Sequence, residues 1–171
     1  MQRYLSYAGV FATLVLLQIF LIDNITLSVY FHPLVYAAFI ILLPLDTKPV
    51  WVLLLSAAMG LTIDVLTGMG GLNVIAATAA GFMRPLIVTL TCGRASGPDD
   101  AVPALYRLTQ KNLAWYMAGM ILLHSSIYFL LESLSLRHLP HALLRLALSD
   151  IAAAVFIWYF IKLFIEKILN K

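Results

Sequence analysis

Apolar residues come in long runs, and polar residues interrupt them at intervals close to the thickness of a bilayer. The runs lie at about 4–22, 28–45, 50–66, 72–91, 113–131 and 143–165. Most approach the ~20 residues that a helix needs to cross a hydrocarbon core. The pattern predicts an all-α membrane protein: a bundle of six transmembrane helices forming one domain over residues 1–171. The first run, Tyr4–Ile22, is too long for a signal-peptide core and ends in Asp23-Asn24 rather than at a small-residue cleavage site, so it reads as a retained span. The second is the weakest. Leu34–Leu45 is short for a crossing, so residues of Leu27–Phe31 are expected to extend it, with a break or kink at Pro33.

The polar interruptions differ in character. Asp23–His32 carries no Lys or Arg, and Asp46–Pro49 is a tight turn holding Lys48. Gly68–Gly71 forms a hairpin, for which glycine's tolerance of positive φ is suited. Cys92–Asn112 is the longest polar segment. Gly97-Pro98-Asp99-Asp100 marks its flexible part, and Leu105–Lys111 is expected to form a short interfacial helix. The Glu132–His141 loop and a basic tail with Lys167 and Lys171 complete the chain.

The placement of Lys and Arg sets the expected orientation. With both termini cytoplasmic, Arg3, Lys48, Arg84, Arg94, Arg107, Lys111, Lys162, Lys167 and Lys171 fall on the cytoplasmic side, and only Arg137 and Arg145 on the other. Trp51, Trp115 and Tyr116 then fall at cytoplasmic interfaces, as an aromatic belt requires.

Composition removes several classes of function. The chain is 63% hydrophobic and 11% charged, against about a quarter charged for soluble domains, which leaves no room for a soluble catalytic domain. The +3 net charge is scattered between spans and forms no stripe for nucleic acid. Cys92 is the lone cysteine and excludes an internal disulfide.

Ionisable residues inside apolar runs are expensive and mark candidate sites. At about 1.5 Å of rise per residue, Asp64 and Asp150 reach similar depths in the outer half, with His124 near the middle of its span and Arg84 in the inner part of another. Asp64 has two readings. It could belong to a binding or coupling site, or lock the hairpin by accepting hydrogen bonds from Thr62, Thr67, Asn73 or the start of the next helix. The structural reading is preferred. His124, Arg145 and Asp150 form a candidate outer polar cluster, with a partly solvated Arg145–Asp150 pair as the alternative. His138-x-x-His141 has metal-ligand spacing, but Pro140 interrupts the helix and no third ligand is evident. No metal, cofactor or catalytic residue is expected. The chain has no nucleophile elbow, phosphate-cradling loop or metalloprotease pair. Ala8 and Ala12 form a small-xxx-small pair in the first span.

The stretch Gly60-Leu61-x-x-Asp64, then Gly68, then Gly70-Gly71-Leu72-Asn73, resembles the span-three to span-four hairpin of the bacterial rod-shape-determining MreD family. Chain length, span count and orientation agree with that family. The resemblance implies a fold similar to the S components of energy-coupling-factor transporters. It also implies a non-enzymatic scaffold of the cell-elongation machinery in the bacterial cytoplasmic membrane, helping maintain rod shape through control of peptidoglycan synthesis. Its implied partners are MreC directly, RodA and the elongation transpeptidase beside it, and MreB indirectly, with a homodimer left open. Gly60, Asp64, Gly68, Gly71, Asn73 and Arg84 are then the structural or partner-binding candidates. Small residues including Ala76, Ala77, Ala80 and Gly81 would give a partner's single span a surface to dock against. The alternative is the substrate-binding subunit of a vitamin or small-solute transporter, with a ligand in the outer cluster. An intramembrane enzyme using Asp64 and Asp150 is a distant third.

Overall fold

The computed structural model describes residues 2–24, 31–45, 47–92, 108–133 and 139–164. Every regular element among them is helical: α1 (Gln2–Leu16), α2 (Ala38–Leu42), α3 (Pro49–Thr67), α4 (Leu72–Cys92), α5 (Gln110–Ser133) and α6 (Leu139–Phe164). Helices α3 to α6 are each long and apolar enough to cross a membrane. Their ends lie within a few residues of the expected runs. Helix α1 continues through a π-helical stretch, Leu17–Ile22, and supplies a shorter apolar helix. Sequential neighbours pack side by side, α3 on α4, α4 on α5 and α5 on α6.

The second run departs from expectation. Where a span over 28–45 is expected, the helix is confined to a 3₁₀ turn, Val35–Ala37, and the 5-residue α2. Residues 31–34 are not helical, and the proposed extension through 27–30 lies outside the described residues. Pro33 and Pro44 bracket the helical part, and a proline's missing N–H and fixed φ terminate helices. Leu34–Leu43 is buried at every position. Its uniformly apolar sequence is therefore that of a bundle core, and a hydropathy pattern cannot separate burial in protein from burial in lipid.

Two smaller expectations also change. Tyr116 is wholly buried rather than at an interface, whereas Trp51 and Trp115 are exposed as a belt requires. No interfacial helix spans 105–111: residues 105–107 lie outside the described residues, Leu108 and Thr109 are not helical, and Lys111 sits in the first turn of α5. There the Asn112 N–H donates to Thr109 Oγ at 3.3 Å, which makes Thr109 the N-cap. Arg94, residues 97–100, Arg107, Arg137, His138, Lys167 and Lys171 also lie outside the described residues.

Candidate functional site

The α3–α4 hairpin is held by its acid. Asp64 is buried near the end of α3, and its carboxylate accepts three hydrogen bonds from the start of α4. The donors are Asn73 N–H at 3.2 Å, Asn73 Nδ2 at 2.8 Å and Val74 N–H at 2.8 Å. Two of them are backbone donors of a helix's first turn, which have no intrahelical partner and attract negative charge. The Asp64 carbonyl also accepts from Gly68 and Met69, closing the C-terminus of α3. Gly68 adopts φ 71° there, the left-handed helix terminator that glycine favours. Thr62 and Thr67 bond to the carbonyls of Ala58 and Ile63 instead. Of the donors expected for Asp64, the structure selects Asn73 and the start of α4.

Close approach makes this geometry possible. A Cβ on Gly60 would lie 2.7 Å from the Asn73 carbonyl carbon and 2.7 Å from Val74 Cα. A Cβ on Gly81 would lie 2.9 Å from Ser56 Cβ. Ala76, Ala77 and Ala80 are wholly buried. Gly60, Gly81, Ala76, Ala77 and Ala80 are therefore buried within the bundle rather than on an outward surface, whereas Gly68 and Gly71 stay open. The outward faces carry Leu61, Val65, Ile75 and Phe82, all more than half exposed.

A second polar network serves the interrupted segment. Irregular backbone at membrane depth needs its N–H and C=O groups satisfied inside the protein. Gln18, buried in the π-helical stretch, does this at one end with all its bonding capacity. Its Oε1 accepts from Val35 N–H at 2.9 Å and Tyr36 N–H at 3.4 Å. Its Nε2 donates to the Pro33 carbonyl at 3.3 Å and to Asp23 Oδ1 at 2.7 Å. Arg84 does it at the other end, donating through Nη2 to the Leu43 carbonyl and through Nη1 to the Pro44 carbonyl at 3.2 Å. Arg84 Nε also donates to the Tyr116 hydroxyl at 2.7 Å, and that hydroxyl reaches the Ile41 carbonyl at 3.4 Å. Arg84 is 3% exposed and has no carboxylate partner among the described residues, so its charge is met by carbonyl oxygens. Tyr36 joins the two networks by donating to Asn73 Oδ1 at 2.7 Å.

No hydrogen bond or ion pair joins the members of the expected outer cluster among the described residues. Arg145 pairs with Glu132 at 2.8 Å and lies over the Phe129 ring rather than bonding Asp150. His124 is wholly buried, packs edge-on against Tyr36 at 5.0 Å, and bonds through neither nitrogen among the described residues. Asp150 is buried beside Ser125, with neither carboxylate oxygen in a well-formed hydrogen bond among the described residues. Its neighbour Ser149 accepts the His32 N–H at 2.9 Å. The described residues contain no group of three metal-ligating side chains.

The polar side chains gather elsewhere. A cavity of about 400 Å³ opens where α1 ends and α4 begins. Its polar lining comes from Gln18, Asp23, Asn24, His32, Tyr36, Thr67, Asn73 and Tyr128, and its apolar lining from Ile19, Leu34, Ile63, Leu66 and Met69. His32 stacks on Tyr128 with ring centroids 6.1 Å apart. Burial raises the Asp23 carboxyl above its usual range, against opposing effects of the Gln18 hydrogen bond and of His32. Apart from Asn73, sequence reasoning missed this set. The available signal was Gln18, an amide inside an apolar run.

Comparison with family models, curated proteins and solved structures finds no match to this chain.

Proposed function

We propose that this protein is a non-enzymatic membrane scaffold of the bacterial cell-elongation machinery, similar to MreD. In this reading it is a six-crossing, S-component-like bundle in the cytoplasmic membrane with both termini cytoplasmic, and the interrupted segment at 31–45 is its second crossing. It binds MreC directly, stands beside RodA and the elongation transpeptidase, and supports rod shape with MreB acting indirectly.

The observation that carries the reading is the clamped hairpin. Gly60, Asp64, Gly68 and Asn73, the residues of the resemblance, are engaged in one close α3–α4 joint. A joint whose acid and amide bond only within the fold is suited to holding a surface in one shape. Asp64 therefore acts on a partner indirectly, through the outward faces of α3 and α4.

The test is Asp64→Ala with co-purification of MreC and measurement of cell shape. The substitution leaves the N–H groups of Asn73 and Val74 without their acceptor. A destabilisation of about 2–4 kcal/mol is expected, from a lost cap and buried unsatisfied donors. Loss of MreC and rounding of cells support the scaffold. Full complex yield with normal rods removes Asp64 from the site, and absence of MreC from a native-membrane pull-down of the unaltered protein removes the scaffold itself.

The polar cavity favours a second reading, the substrate-binding subunit of a small-solute transporter. Gene neighbours separate the two. A coiled-coil periplasmic protein and an actin-like protein favour the scaffold, whereas ATPase subunits favour transport.

A further inference from the structure

We propose that the cavity between the end of α1 and the start of α4 binds a small organic cation carrying an ammonium or quaternary nitrogen. The inference holds under either reading above.

Charge selects the class. Among the described residues, Asp23 is the only formally charged side chain lining the cavity, and no Lys or Arg lines it. The nearby Arg145 is engaged by Glu132 at 2.8 Å. An anion would thus meet a carboxylate and no countercharge. A divalent metal would find one carboxylate where it needs several ligands.

The walls select it further. Tyr36, Tyr128 and His32 line the space, with His32 stacked on Tyr128. A tyrosine ring beside a carboxylate attracts an organic ammonium group. The volume lies at the small end of ligand sites.

The site is also preformed. Gln18 has all its bonds committed, and Asn73 is fixed between Asp64 and Tyr36. Asp23, His32 and Tyr128 line the cavity, and among the described residues Asp23 Oδ2, the His32 ring nitrogens and the Tyr128 hydroxyl make no hydrogen bond. Rigid walls with a few uncommitted polar groups reduce the ordering cost of binding.

The cavity opens at the level of the helix ends, so the nitrogen could come from a free amine or from a lipid headgroup. The experiment uses the purified full chain in nanodiscs of phosphatidylglycerol, with choline chloride as probe. Sodium chloride at equal ionic strength and the neutral choline isostere 3,3-dimethylbutan-1-ol are the controls. A saturable rise in Tm is expected with choline and with neither control. Asp23→Asn, which keeps an oxygen acceptor for Gln18, should weaken the response at least tenfold. The response in the unaltered chain should also fade as pH falls and Asp23 takes up a proton, which needs no variant. In a second arm, discs containing phosphatidylethanolamine should stabilise the unaltered chain but not Asp23→Asn if the headgroup is the source. Equal responses to choline and its isostere, a choline response unchanged in Asp23→Asn, or no response in either arm would overturn the proposal.

Discussion

At Gly60 there is no room for a methyl group, and at Gly68 there is ample room but an unfavourable backbone angle. The two glycines look alike in the sequence and fail for different reasons. Gly60→Ala drives Cβ into the backbone of Asn73 and Val74 and should destabilise by about 3 kcal/mol or more. Gly68→Ala meets nothing within 4 Å and should cost only about 1 kcal/mol, from strain at φ 71°. Thermal unfolding of both variants in one detergent checks the order; a larger effect at Gly68 would contradict it. Gln18→Leu should be among the most harmful substitutions in the first helix. It strands the Val35 and Tyr36 N–H groups and the Pro33 carbonyl, each at about 1–3 kcal/mol. Asp64 was legible because a carboxylate between glycines beside a turn bonds to neighbours 9 or 10 positions away. The partners of Gln18 lie up to 18 positions away, and those of Arg84 up to 41. Nothing local in the sequence announces such pairings.

For the elements, α3 to α6 were legible to within a few residues because their apolar runs are long and bounded by glycines, prolines or polar segments. The second run was not. Its apolar residues suit a lipid-facing span and a buried core strip equally well, and only the other helices decide between them. The C-terminal end of α2 depends on the planar fork of Arg84, which reaches two carbonyls and a hydroxyl at once. Arg84→Lys offers a single ammonium in place of the fork and should lose stability despite keeping the charge. Arg84→Met should lose more, since the Leu43 and Pro44 carbonyls then keep no donor from this side chain. Thermal unfolding of the pair in one detergent tests this, and Arg84→Lys matching the unaltered chain would show that charge alone suffices.

Across the whole molecule, the polar groups sort into a committed set and an uncommitted one. Asp64, Gln18, Arg84 and Asn73 are bound within the fold; Asp23 and His32 face the cavity with bonding capacity to spare. The raised carboxyl of Asp23 means that the folded protein holds that proton more tightly than the unfolded chain does. Its contribution to stability is therefore present at acid pH and lost as pH rises through the ordinary carboxylate range to the raised value. Asp23→Asn should raise Tm at neutral pH, with the gain shrinking toward zero in acid. A fall in Tm at neutral pH would mean that the carboxylate supports the empty fold. The outer cluster was predicted from similar depths alone. Depth fixes height in a bundle but not azimuth, which is why Arg145 turns to Glu132 and His124 to Tyr36.

The interrupted segment bears on how the chain enters a bilayer during synthesis. Residues 31–45 hold one short α-helix, and the carbonyls at and just beyond its end (Ile41, Leu43 and Pro44) depend on Tyr116 and Arg84, which the ribosome makes later. A chain truncated after Lys48 and released from the ribosome should leave this stretch unanchored and open to protease, whereas one extended through α5 should protect it. Insertion of the second segment would then wait on the fourth and fifth helices rather than follow the order of translation.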